Sequence, residues 1–401
     1  MQCPHQPIRQ ANGAIDPLDR WTAGAWPVRV GSVDHGRAGR PEWRRRHPPD
    51  TTVGIVIGSA WGLPTADLDD AVTRATDDLR RWKGARVLVT GGTGFLGRWL
   101  VSTLFQANRQ LDLGLRLVLL TRHPAAIPLD DPSVELVGGD VRRPPPLGTV
   151  DAVVHGATAS ASTGPDGGGS IPPNPRTIAG TILDGTRAVL EVAGASQARV
   201  LFLSSGAVYG RQEGSAVAED DLGAPDPLDP GSAYGEAKRM AENWCAATTA
   251  AGEVQAVVGR LFAFVGPGIP LRSNFAAGNF LADALSGGPV QVAGDGRAVR
   301  SYLYAGELSE WLLALLARGR PGAAYNVGSP EAVTIAELAG LVAALPDPSV
   351  PVQILGTPGP ARPHRYVPDT GRAEAELGLR PRVGLPDALQ RSFTWLAARA
   401  G

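Results

Sequence analysis

Cysteine is nearly absent. Cys3 and Cys245 are all that 401 residues contain, too few for a disulfide framework or a thiolate metal centre. The six histidines are scattered without metal-ligand spacing, so no metal is expected. No apolar run approaches a membrane span. The opening stretch MQCPHQPIRQ lacks the apolar core of a signal peptide. A reducing, cytoplasmic setting is therefore expected. Net charge is only −1, which argues against nucleic acid or an anionic membrane as a partner. Lysine is scarce too: of 38 basic residues only Lys83 and Lys238 are lysines. A lysine kept in so arginine-rich a chain is a candidate for chemistry that arginine cannot perform. For Lys83, within a polar helical stretch, chance is the simpler account.

What is present is enough apolar residue, 43% of the chain, for one large or two ordinary domains. Residues 1–50 are rich in Arg, Pro and Gly without periodicity and read as an irregular extension. Residues 66–83 have helical spacing, with acids early and Arg81 and Lys83 late, as the helix dipole favours. The pattern then changes to short apolar runs alternating with helical stretches. The runs are 86–90, 116–121, 134–139, 151–157, 199–205 and 255–266; helices are expected at 95–107, 177–195 and 232–252. Apolar runs without alternation mark strands buried on both faces, so the fold class is α/β with a doubly wound parallel Rossmann sheet. Beyond about residue 267 the pattern is mixed and rich in Pro and Gly. A smaller C-terminal α/β region is expected there.

The stretch TGGTGFLG (90–97) follows the first strand and opens the first helix. Gly91 permits a tight turn, Gly94 lets the backbone approach a pyrophosphate, and Gly97 lets the helix pack close to the strand. Glycine spacing is a weak signal among 51 glycines, but a strong one between a strand and a helix. At the end of the second strand, Thr121 is followed by Arg122, where an acid would select a ribose 2′-hydroxyl. A guanidinium suits a 2′-phosphate, so the reading leans to NADP over NAD. An arginine merely exposed after a strand is the plainer alternative. Asp140 and Val141 follow the third strand, with Asp140 placed to accept from an adenine amino group. His155 and Ala157 close the fourth strand, beneath the expected cofactor. The candidate cofactor contacts are these residues with Gly91, Thr93, Gly94, Phe95, Leu96, Gly97, Tyr234 and Lys238. The chain divides accordingly into an extension (1–50), a helical lead-in (51–84), an NAD(P)-binding domain (85–267) and a mainly substrate-binding region (268–401), part of which is expected to return to the Rossmann core.

Tyr234 and Lys238 form Y-x-x-x-K on one helix face. The lysine charge lowers the phenol pKa, so a phenolate can take a proton from an alcohol or sugar hydroxyl while hydride leaves the carbon. Ser205, at a strand end, would bond the same oxygen. In order and spacing, GxxGxxG, the SSGAVYG stretch and YxxxK resemble the extended short-chain dehydrogenase/reductase family of nucleotide-sugar epimerases, dehydratases, decarboxylases and reductases. RLFAFVGPG (260–268), GDGRAVRSYLYAGEL (294–308), YNVGS (325–329) and the terminal DTGRAEAELGLRP…W pattern agree with it. The resemblance runs from about Arg86 to Trp395. It implies that Arg300 grips the diphosphate of a nucleotide-sugar, that Asn274 and Gln291 border its nucleoside, and that the working unit is a homodimer. Ala263, Val265 and Ser301 depart from the family's Asn, Tyr and Asp.

The two positions after Ser205 narrow the reaction. In the family's dehydratases they carry an acid and a base, and in its glucuronate decarboxylases the second is Glu. Gly206 and Ala207 have no side chain for either task. What is left is oxidation at C4 or reduction of a 4-keto sugar, and an epimerase performs both. The small pair could equally make space for a sugar ring to turn over, and an acid such as Glu219 or Asp220 could be supplied from elsewhere. A C4 epimerase is expected, with an NADPH-dependent 4-ketosugar reductase as the alternative. A non-catalytic NAD(P)-sensing regulator would not need the tyrosine–lysine pair, whose presence argues against it.

Overall fold

The computed structural model describes residues 61–158, 162–163, 170–171, 174–212, 214–360 and 362–400. The expected extension at 1–50 and residues 51–60 of the lead-in lie outside the described residues. Seven strands form one parallel sheet. In spatial order they are Ala324–Val327, Gln255–Leu261, Arg199–Ser205, Ala152–His155, Arg86–Thr90, Arg116–Thr121 and Val134–Gly138. The order reverses between Arg86–Thr90 and Ala152–His155, a topological switch point of the doubly wound kind. The strand from the YNVGS stretch joins the sheet beside Gln255–Leu261, in the register Asn326 to Arg260.

Both faces of the sheet are covered, as its unbroken apolar strands require. On one face, helices Phe95–Leu111 and Ala305–Arg318 bury Leu100, Val101, Leu104, Trp311 and Leu312. On the other, Pro175–Ser196 and Ala233–Ala250 bury Ile182, Val189, Ala237 and Ala241. The lead-in is two short helices, Thr65–Arg74 and Thr76–Arg80, broken at Ala75 rather than continuous. Leu68 and Leu79 are buried there, and Asp67 accepts from the Tyr304 hydroxyl at 2.5 Å and from Arg391 at 2.7 Å.

The sixth strand differs from the expected run of 255–266. It ends at Leu261, and Ala263–Val265 pairs instead with Tyr302–Tyr304 in a second sheet. Phe262 marks the break. Its N–H still donates to the Val327 carbonyl of the main sheet at 3.0 Å, while its ring packs with Val208, Tyr209, Val217 and Tyr366. The second sheet is built on Val299–Tyr304, flanked by Ala332–Thr334 and Arg365–Tyr366. Helices Ala276–Leu285, Ile335–Ala343 and Leu385–Ala397 supply its core through Phe280, Leu281, Leu338, Val342 and Leu389.

Candidate active site

The glycine turn lies at the switch point. Gly91 has φ +77°, the left-handed region, and an added Cβ would lie 2.6 Å from the carbonyl carbon of Gly156. An added Cβ on Gly97 would lie 2.2 Å from the Gly91 oxygen and 2.7 Å from Gly92 Cα. Both positions thus exclude side chains because main chain fills the space. Gly94 is the N-cap of the 17-residue helix Phe95–Leu111, with no side-chain cap and no acid in the first turn. Its first N–H groups therefore carry a positive end suited to phosphate. A cradle closed to side chains and an uncapped helix N-terminus fit a dinucleotide pyrophosphate. Thr93, Phe95 and Leu96 complete the turn, and Thr93 uses its carbonyl to accept from Arg98 at 2.9 Å.

The other cofactor-side candidates are placed as follows. Thr121 ends the second strand and Arg122 is exposed beyond it. Asp140 receives Arg142 through both carboxylate oxygens, at 2.6 and 3.0 Å, and that pairing lowers its pKa to about 2. Val141 is buried beside it. His155 is 2% exposed. Its imidazole bonds Thr90 Oγ1 at 2.7 Å and Thr186 Oγ1 at 3.2 Å, and burial pushes its pKa down to about 3. The ring is a neutral core group, so His155 can offer a cofactor only its main chain. Ala157 follows, its N–H donating to Thr90 Oγ1 at 3.2 Å.

Helix Ala233–Ala250 is alanine-rich and sets Tyr234 and Lys238 one turn apart. Lys238 is 2% exposed, donates to the Leu203 carbonyl at 2.6 Å, and stands 4.6 Å from the Phe202 ring centre and 5.9 Å from that of Tyr234. Burial lowers its pKa to about 8, with Glu242 opposing. Burial raises the Tyr234 pKa, and the facing Ser205 hydroxyl opposes that rise. Ser205 closes strand Arg199–Ser205 and accepts from the Ala207 N–H at 3.2 Å. Serine, tyrosine and lysine therefore meet at one strand end, with the means to hold and move a proton.

Gly206 is small for a reason invisible in its own neighbourhood. A Cβ there would lie 2.7 Å from two atoms of the Phe262 ring and 2.9 Å from the Tyr366 hydroxyl. Tyr366 was not among the expected site residues. Its hydroxyl lies 3.2 Å from Ser205 Oγ and 3.3 Å from the Leu261 carbonyl, with one proton to give to either. Arg300 stands 6.0 Å from the Tyr366 ring centre and bonds the His364 carbonyl and Nδ1, both at 3.2 Å. No carboxylate pairs with Arg300 among the described residues, and burial lowers its pKa. A half-buried guanidinium without an acid is suited to an anion. Asn274 lies in an exposed loop before Ala276–Leu285, and Gln291 is exposed on the separate strand Val290–Val292. Glu219 is occupied by the Asn326 N–H at 2.7 Å, and Asp220 by Arg372 at 2.9 Å.

Several motif residues turn out to be scaffold. Arg260 forks onto Glu242 at 2.7 Å and donates to the Tyr209 hydroxyl at 2.8 Å. Tyr209 in turn donates to Asn326 Oδ1 at 2.8 Å. With Ser204 donating to Glu242 as well, the network ties strands Arg199–Ser205, Gln255–Leu261 and Ala324–Val327 to the Tyr234 helix. Glu242 could have been found in the sequence, because Tyr234, Lys238 and Glu242 repeat every four residues.

A parallel sheet with a glycine turn at its switch point defines a dinucleotide-binding protein of the Rossmann class. More particularly, the chain belongs to the NAD dependent epimerase/dehydratase family, whose model matches residues 87–328. It is an enzyme of that family, and NAD is the cofactor the family description names. It is 30% identical over 310 residues to UDP-glucuronic acid decarboxylase 1 of Arabidopsis thaliana, covering 77% of this chain and 69% of the relative. The dTDP-glucose 4,6-dehydratase of Streptomyces venezuelae, solved with NAD bound, has TM-score 0.63 and 27% identity, over 78% of this chain and 97% of that one. The UDP-glucose 4-epimerase of Thermotoga maritima shares the fold, with TM-score 0.63 and 21% identity, over 79% of this chain and all of its own. Among the described residues no helix is long and apolar enough to cross a membrane.

Proposed function

We propose that the protein is a nucleotide-sugar epimerase acting at C4 through a transient 4-keto sugar. The observation that carries this is the Ser205–Gly206–Ala207 corner. Ala207 has no acid or base, and the space a side chain at 206 would fill is taken by Phe262 and Tyr366. Dehydration and decarboxylation both need a further proton or carboxylate group beside the C4 hydroxyl. Glu219 and Asp220, the acids that might have stood in, are tied to Asn326 and Arg372.

A bound NAD would supply the hydride chemistry at C4. Tyr234, as phenolate, takes the O4 proton, and Lys238 favours that phenolate by its charge. Ser205 holds the same oxygen, and Arg300 holds the diphosphate. Gly91, Thr93, Gly94, Phe95, Leu96 and Gly97 cradle the cofactor pyrophosphate, and Arg122 favours NADP. Arg122 also favours the second reading, an NADPH-dependent 4-ketosugar reductase, since a consumed donor draws on the reduced pool. The homodimer belongs to this proposal.

The test is incubation with a panel of nucleotide-sugars, UDP-glucuronic acid included, with and without NADPH, and product identification by NMR and mass spectrometry. A C4 epimer without net NADPH consumption is expected. Stoichiometric NADPH loss would establish the reductase, and a pentose with released carbon dioxide would overturn both.

A further inference from the structure

Ser205 has a hydrogen-bonding partner other than the expected one. In the structure its hydroxyl meets Tyr366 at 3.2 Å, and Tyr366 comes from the two-residue strand Arg365–Tyr366 of the second sheet. The Tyr366 ring is held against Phe262, ring centres 4.7 Å apart, with the Arg300 guanidinium 6.0 Å from its centre. Its hydroxyl occupies the slot that the missing side chain of Gly206 leaves, 2.9 Å from where a Cβ would stand. Gly206 does not have the positive φ that would itself demand glycine. Space is what excludes a side chain there, so Gly206 and Tyr366 are two halves of one arrangement.

The direction of the hydrogen bonds follows from the donor inventory. The Leu261 carbonyl only accepts, and Tyr366 has one proton. Either Tyr366 gives that proton to Leu261 and takes the Ser205 proton, or it gives the proton to Ser205. In the second arrangement the Ser205 hydroxyl is released to donate toward Tyr234 and the reacting oxygen. The Ala207 N–H, 3.2 Å from Ser205 Oγ, supports the same orientation.

We propose that Tyr366 is a positioning residue for Ser205, its hydroxyl seated in the Gly206 slot and turning the serine proton toward the reacting oxygen. This rests on reading Ser205 and Tyr234 as the proton-handling pair, and it does not depend on which sugar is epimerised. The other ionisable groups around the pair are Lys238 on the Tyr234 helix, Glu242 beyond it, and Arg300 near Tyr366. None of them is altered in the test.

The test is Tyr366→Phe, which keeps the ring and its packing. In the NAD complex, ultraviolet phenolate absorbance is titrated for the wild type and for Tyr366→Phe, each minus its Tyr234→Phe counterpart, to isolate Tyr234. The variant is expected to titrate at higher pH, because Ser205 loses the donor that turns its own proton toward the phenolate. With a substrate from the panel, hydride transfer should fall about fivefold, the worth of one neutral hydrogen bond, with KM within about twofold. In a Ser205→Ala background, Tyr366→Phe should have no further effect, since it acts through Ser205. An unshifted Tyr234 titration with wild-type hydride transfer would overturn the proposal, as would an equal loss in the Ser205→Ala background. If wild type shows no Tyr234-dependent titration, the proton-handling pair falls, and this proposal with it. An unexpected product in the panel, with the shift intact, overturns only the C4 epimerase.

Discussion

Replacing Lys238 by methionine should destroy activity and stabilise the fold. The lysine is 2% exposed, and burial brings its pKa from about 10.5 to about 8. Each unit corresponds to about 1.4 kcal/mol, so the charged side chain costs the folded state about 3 kcal/mol. Methionine keeps the apolar stem and forfeits the charge-assisted bond to the Leu203 carbonyl, about 2 kcal/mol. The net gain is about 1 kcal/mol at pH 7, or about 1 °C in Tm. The pH dependence has a definite sign. Below pH 8 folded and unfolded chains both hold the proton, and the penalty is complete. Between pH 8 and 10.5 only the unfolded chain holds it, so wild-type stability rises with pH and the variant's advantage shrinks. Urea unfolding of both cofactor-free proteins from pH 7 to 10.5, each in a Cys245→Ala background, reads this difference, because Cys245 is coupled to Lys238 and titrates in that range when unfolded, whereas groups that do not feel Lys238 cancel. A variant less stable than wild type at pH 7, or an offset independent of pH, would refute the reasoning. It would mean that the Leu203 bond, the Phe202 ring and Glu242 more than compensate the buried charge.

Tyr234→Phe should keep NAD affinity in calorimetry and lower turnover about a hundredfold, the scale of a lost acid–base group; near-normal turnover would remove the proton-shuttle role. Arg122→Ala should erase most of a tenfold or greater NADP preference, about 1.5–3 kcal/mol for a charge-assisted bond, and leave NAD binding nearly unchanged. Wild-type preference for NAD would end that assignment and count against the reductase. Gly97→Ala drives a methyl into the Gly91 carbonyl and Gly92 Cα, so thermal unfolding should show a loss of about 1–3 kcal/mol, with weaker NAD binding. Wild-type stability there would show that the turn yields more readily than its close approach implies.

Much of this protein was legible in its sequence because the relevant physics is local. Unbroken apolar runs spell parallel strands buried on both faces, and six of the sheet's strands lie in the expected runs. The turn at 90–97 is legible because its glycines answer to each other: the Cβ excluded at Gly97 would strike Gly91 and Gly92. Tyr234 and Lys238 share a face by helical periodicity alone.

The tertiary structure decided what lies between distant segments. Tyr366 stands 161 residues from Ser205, on a strand too short to leave a periodic signal, so no local pattern brings the two hydroxyls together. The same closure explains Gly206, whose bareness read as an absent catalytic group and is also a slot filled by Phe262 and Tyr366. His155 ends a strand at the cofactor side, yet the pleat turns its ring between Thr90 and Thr186, where burial keeps it neutral. Phe262 leaves an apolar run that would otherwise have continued, because its ring is drawn to Tyr209, Val217 and Tyr366. Spacing along the chain determines what adjacent residues can do; which side chain faces which depends on how two sheets meet, and only the folded chain specifies that.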